Sequence, residues 1–195
     1  METILQKIKD GTIKNVNPSV VISNKSNTRA LEVAKNYNIN RVFIDDEGKK
    51  GSSWQYDKKI MDCLQENRVT PENGLICLAG FTRIISKEFV KKYRRCIMNI
   101  HPALLPSFPG LNAQRQALEF GSKITGCTIH FVDEGVDTGP IIIQAPVEVK
   151  ENDLINSLAD RILEQENRVY PQAVKFFVEG KLSIEGKRVK IRSKL

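Results

Sequence analysis

Two histidines and four scattered cysteines leave little material for metal or redox chemistry in this 195-residue sequence. Cys63, Cys77, Cys96 and Cys127 form no CxxC or CxxH spacing, which argues against a zinc site and against a disulfide framework. No apolar run approaches the ~18 residues needed to cross a bilayer. The opening Met1-Glu2-Thr3 leads into alternating charges rather than a secretory signal. A reducing cytoplasm is the expected compartment. No internal repeat, low-complexity tract or linker interrupts the sequence, so one domain over residues 1 to 195 is expected.

The formal charge of +7 suggests a polyanion partner until its position is considered. Lys181, Lys187, Arg188, Lys190, Arg192 and Lys194 face only Glu185 in the last fifteen residues, so most of the excess lies in that tail. No aromatic side chains interleave with these charges for base stacking, and a solvated basic hairpin is the plainer reading. Nucleic acid is therefore disfavoured as a partner. Small anionic substrates remain compatible.

Short β-rich runs occur at 19 to 24, 41 to 46, 75 to 80, 96 to 100, 128 to 132 and 141 to 149. Helical patterns lie between the first five, near 28 to 37, 54 to 67, 86 to 93 and 113 to 120. This alternation predicts an α/β fold with a mostly parallel sheet and helices on both faces. Only the turn from Asp133 to Pro140 separates the last two runs, which predicts an antiparallel later portion. A long helix is expected from an N-cap near Asn152 or Asp153 to Gly180, interrupted at Pro171. LSIEGKRVKI then reads as a hairpin turning near Glu185-Gly186.

In an open α/β sheet, ligands bind beyond the carboxyl ends of the strands. That rule selects AGFTR (79 to 83), NIHP (99 to 102) and, as a third candidate, the DEGVDTGP turn (133 to 140). Strand periodicity puts Asn99 and His101 on one face, where an amide and an imidazole can converge on one atom. Pro102, Pro106 and Pro109 stiffen the loop that follows, and a cis bond at Leu105-Pro106 or at another X-Pro bond there is expected. Asp137 is the carboxylate expected to orient His101 and raise its pKa, in a turn that two glycines keep open. A turn aspartate bonding its own backbone is the plainer alternative. His130 reads equally as a polar residue behind the site and as a satisfied core histidine. Glu166 occupies the gap in an apolar stripe of Ile155, Leu158, Ile162, Val169, Ala173 and Phe177. A carboxylate there needs a partner or a ligand, unless it reaches solvent at the helix edge.

LAGFTRIIS (78 to 86), NIHPALLPSFPGLNAQRQALEFG (99 to 121), GCTIHFVDEGVDTGPIIIQ (126 to 144) and EQENRVYP (164 to 171) together resemble the folate-dependent formyltransferases. Within them, NIHPALLPSFPG is most similar to the branch acting on glycinamide ribonucleotide. The resemblance implies a Rossmann-like formyltransferase fold. It implies transfer of a formyl group from 10-formyltetrahydrofolate, as co-substrate, to the amine of glycinamide ribonucleotide in purine biosynthesis. It also implies a catalytic set of Asn99, His101 and Asp137 with no metal. Thr82, Arg83, Ile84, Ile85 and Asn99 are implied at the folate site, Glu166 at the ribonucleotide, and the assembly as monomer or homodimer. Another formyl-folate enzyme, such as a deformylase or a sugar-amine formyltransferase, and a non-catalytic binding protein are the alternatives.

Two features depart from the family. Its first strand and its SGxGSN-like phosphate loop have no counterpart, since Met1 to Gln6 already resembles the following helix and the first glycine is Gly11. Met1 is accordingly expected to be an internal methionine of a longer chain, and ribonucleotide affinity is expected to suffer more than folate affinity. Ser53 also stands near a position where relatives place a basic residue that contacts folate.

Overall fold

The computed structural model describes residues 1–48 and 53–192. Six helices and eight strands are present among them: α1 (Glu2–Lys9), β1 (Val20–Ser23), α2 (Arg29–Asn36), β2 (Asn40–Phe43), α3 (Trp54–Glu66), β3 (Ile76–Leu78) and α4 (Lys87–Lys92) form the first half. The second half holds β4 (Ile97–His101), α5 (Ala113–Phe120), β5 (Ile124–Phe131), β6 (Ile141–Glu148), α6 (Ile155–Val178), β7 (Leu182–Glu185) and β8 (Arg188–Ile191). Hydroxyl caps start three helices: the side chains of Thr28, Ser53 and Ser86 accept from the backbone N–H groups of Leu31, Tyr56 and Phe89. Ser53, where a basic residue was expected, is thus a helix cap.

The strands form two sheets. β1 and β2 pair in parallel by themselves, and the larger sheet runs β3-β4-β5-β6-β8-β7. Among the described residues no strand ladder joins the two sheets. In the larger sheet β3 and β4 are parallel, and β5 is antiparallel to both β4 and β6. The antiparallel portion therefore begins one strand earlier than the connection lengths suggested. α5 ends after two turns, at Gly121 in the left-handed conformation, and the chain returns alongside β4 in the reverse direction.

Apolar alternation along β3 and β4 divides the core between the two faces. Leu75, Cys77, Met98 and Ile100 pack toward α6 and α1, with Leu158, Ile162, Val169 and Ala173 of α6 and Ile4 of α1. Ile76, Leu78 and Ile97 pack the other way, against Tyr56, Ile60 and Leu64 of α3 and Phe89 of α4. α6 runs unbroken through Pro171, contrary to the interruption expected there. Pro171 is buried, and Asn167, whose carbonyl loses its usual N–H partner, is exposed. Its N-cap is Leu154, one residue after Asp153, which lies just outside and binds Ser157 and Arg161.

Candidate active site

Register brings the expected residues together. Asn99 stands opposite His130, and His101 opposite Thr128, so all four side chains share one face of the β4–β5 pair. Asn99 Nδ2 is 3.3 Å from His130 Nε2, and His130 Nδ1 is 3.0 Å from the Phe131 carbonyl. One tautomer satisfies both contacts: Nδ1–H donates to the carbonyl and Nε2 accepts from the amide. His130 is therefore both readings at once, a fully partnered core histidine and the support that orients Asn99.

Asp137 reaches the same place from the β5–β6 turn, with Oδ2 3.3 Å from His101 Nδ1 and Oδ1 3.6 Å from His130 Nε2. Gly110 N–H donates to Oδ2 at 2.8 Å. Asp137 itself sits at φ +54°, a left-handed conformation that an L residue holds only when its surroundings enforce it. Gly135 and Gly139 do not keep this turn open, as expected, but close it. A side chain at Gly139 would stand 1.8 Å from the Phe131 carbonyl oxygen, and one at Gly135 would stand 2.1 Å from Thr138 Oγ1. Asp133 is the turn aspartate, accepting from Gly135 N–H and from Thr138 Oγ1.

Sequence reasoning missed the residues that fix the proline loop. Thr128 Oγ1 donates to the Ala103 carbonyl at 2.7 Å and accepts from Leu105 N–H at 3.0 Å, while Gln144 Nε2 donates to the Leu105 carbonyl at 2.9 Å. Thr128 lies two residues before His130 on the same strand face, so the period-2 rule already placed it there. The Leu105–Pro106 bond is cis. Phe108, at the far end of the loop, accepts a 2.7 Å hydrogen bond from His101 Nε2 through its carbonyl.

That contact changes the expected charge of His101. Burial pulls its pKa below the ordinary histidine value, and the Phe108 carbonyl and the Asp137 carboxylate raise it by less. His101 is 3% exposed, and its pKa lies below the ordinary value rather than above it, where Asp137 alone would place it. With Nε2–H held by Phe108, the Nδ1 lone pair faces Asp137. For Asp137, burial pushes the carboxyl upward, but the adjacent His130 ring, the Gly110 N–H and the His101 ring more than reverse it, leaving a pKa below the usual aspartate value.

The remaining candidates lie apart from this cluster. Thr82 and Ile84 are exposed, whereas Ile85 packs partly into the core. The Arg83 guanidinium turns inward, pairing with Asp46 at 2.9 Å and lying 4.5 Å from the Tyr56 ring centroid. Glu166 makes no hydrogen bond to the cluster; it is half-buried near Cys127 and the Met1 ammonium, and burial pushes its pKa up to about 7 against the pull of that cation. A cavity of about 680 Å³ opens among Val90, Phe131, Val132, Pro140 and Ile184, and neither the cluster nor residues 82–85 line it. No group of side chains able to hold a metal ion occurs among the described residues.

Residues 1–174 match the formyl transferase family. The chain belongs to that family. A glycinamide ribonucleotide transformylase structure from Symbiobacterium toebii is 42% identical with a TM-score of 0.90, over 98% of this chain and 88% of that one. The phosphoribosylglycinamide formyltransferase of Haemophilus influenzae is 37% identical over 186 residues, 95% of this chain and 84% of the relative. A trifunctional purine biosynthetic protein from Gallus gallus is 43% identical over 165 residues, 85% of this chain. The chain spans only 16% of that much longer protein. Among the described residues no helix is long and apolar enough to cross a membrane.

Proposed function

We propose that this formyl transferase moves a formyl group from 10-formyltetrahydrofolate to the primary amine of glycinamide ribonucleotide, a step of purine biosynthesis. The observation that carries the reading is the meeting of Asn99, His101 and Asp137 at the carboxyl edge of β4, in a family defined by formyl transfer. The names of the relatives supply the substrate.

Attack of an amine on a formamide carbon builds a tetrahedral intermediate with negative charge on oxygen, and it leaves the amine with a proton to lose. One N–H of the Asn99 amide is committed to His130; the other is available to that oxygen. The proton has a natural acceptor in Nδ1 of the neutral His101 ring. Protonation there turns an unfavourable approach of lone pair to carboxylate into an ion pair with Asp137, so the site favours the charge that the reaction creates. The same proton can then pass to the leaving nitrogen of the folate. Thr82 and Ile84 offer exposed surface for the folate, and Glu166 offers a half-buried carboxyl for hydroxyl or amine groups of the ribonucleotide.

The test is a panel of acceptors supplied with 10-formyltetrahydrofolate: glycinamide ribonucleotide, water and amino sugars. Formylation of the ribonucleotide at a rate at least about tenfold above the others is expected. Formate release alone, or formylation of a sugar amine in its place, would overturn the assignment.

A further inference from the structure

Among the described residues the two sheets share no backbone hydrogen bonds, yet the Asp46 carboxylate ties their loops together at the carboxyl edge. Asp46, just after β2, accepts on Oδ2 from Asn24 Nδ2 at 2.9 Å and from Arg83 Nη1 at 2.9 Å, and on Oδ1 from Gly48 N–H at 3.1 Å. Asn24 follows β1, and Arg83 belongs to the loop between β3 and α4. The two charged side chains are 7% and 14% exposed for Arg83 and Asp46, and the guanidinium lies over Tyr56 of α3. The next residue of the same helix, Asp57, 1% exposed, accepts from Ser86 N–H at 2.6 Å. Residues 83 and 86 are thus gripped by carboxylates from the β2–α3 unit, while Thr82 and Ile84, on either side of Arg83, are exposed.

A guanidinium this well covered is not placed to greet a ligand. Its five donors and fixed planar shape suit it to hold a backbone loop at a defined distance from another element. Asp46 stands outside the catalytic cluster, and no part of the transfer chemistry described above needs it. Its bonds join the segment after β1 to the loop between β3 and α4.

We propose that Asp46 is a positioning residue for the co-substrate: through Asn24 and Arg83 it fixes the Gly80 to Ile85 loop in the shape that receives the folate. This rests on the reading of the site as a folate-dependent formyltransferase. Asp46→Asn keeps the size of the side chain and removes the charge that holds Arg83. Its KM for 10-formyltetrahydrofolate should rise about tenfold or more, with kcat within about threefold and the KM for the ribonucleotide unchanged, because a loop misplaced by a fraction of an ångström loses binding geometry before it loses chemistry. Asn24→Ala removes one hydrogen bond and leaves the ion pair, so the same shift should appear at about two- to fivefold. If Asp46→Asn does not fold, Asn24→Ala carries the test alone.

The dissociation constant of tetrahydrofolate, measured by calorimetry on the wild type and both variants, separates this proposal from the functional assignment. A wild type that binds tetrahydrofolate but transfers no formyl group refutes the assignment, and the binding shifts still judge Asp46. A wild type without folate affinity overturns both. Variants that melt earlier yet keep folate KM and dissociation constant within twofold of wild type would reduce Asp46 to a structural tie and overturn the proposal.

Discussion

β5 and β2 sit in two halves of the same carboxyl-edge architecture and are held by different physics. From Thr125 to Phe131 every residue of β5 is buried, whereas β2 buries none of its four and leaves Phe43 46% exposed. The half that contains Asn99, His101 and His130 is fixed by packing on both faces, so its polar groups can be placed to within hydrogen-bonding tolerance. The half around β1 and β2 packs Val20, Ile22 and Val42 only partly into the core and adds discrete polar ties, such as Asn24–Asp46–Arg83 and Asn40–Asn67 at 2.8 Å. The proposed catalytic residues sit on the more deeply buried half, where His101 and His130 are buried and Asn99 and Asp137 half-buried, and the proposed binding surface lies on the less buried one.

The sharpest way to break that comparison is to disturb the packed half at its functional end. His101→Ala and Asp137→Ala should each lower kcat by about 10²-fold or more, the usual scale for a positioned proton carrier. Steady-state turnover near wild type in both would remove the pair from the chemistry. Truncations in the two halves sharpen the contrast in stability. Leu158→Ala, at a fully buried position of α6, should cost about 2–5 kcal/mol, against less than about 1 kcal/mol for Phe43→Ala in β2. Urea midpoints compare them, and equal losses would contradict the division.

A smaller effect concerns Glu166. Its folded pKa, about 7, lies above the ordinary value of 4.5, so the folded state holds its proton where the unfolded chain has already released it. Stability should therefore fall as pH rises from 4.5 toward 7 and level off beyond, the opposite sign to a salt-bridged carboxylate. Glu166→Gln should flatten that segment of the melting-temperature profile. An unchanged slope would show that the carboxyl is not buried as described.

Most of the packed half was legible in the sequence, because apolar runs and period-2 alternation report burial directly. LICLA and CIMNI predict β3 and β4, and Asn99 and His101 fall on one face by counting alone, whereas His130 joins them only through the β4–β5 register. The residues of the adjustable half were not legible in the same way. Arg83 and Asp46 lie 37 positions apart in chain segments with no common periodicity, so their pairing needs the fold to bring them together. Arg83 was accordingly expected at the ligand and lies instead beneath the loop. Pro171 failed as a helix stop because tertiary burial of α6 outweighs one missing hydrogen bond. The charge of His101 failed for a related reason: a neighbouring carboxylate can be guessed from sequence, but the depth of burial that opposes it cannot.

That balance is the centre of the proposed chemistry, since a proton-accepting His101 must be neutral before substrate arrives. Its folded pKa below 6.5 also implies a contribution to stability that is complete above pH 6.5 and lost as pH falls toward the folded value. The most direct measurement is an NMR titration of ¹⁵N-labelled imidazole in the ligand-free protein, with His101→Asn to assign the signal and His130 as internal comparison. The account predicts a neutral ring at pH 7, protonated at Nε2 with Nδ1 bare, titrating below 6.5. An imidazolium that persists above pH 7 would contradict it and return His101 to the role of a standing cation beside Asp137.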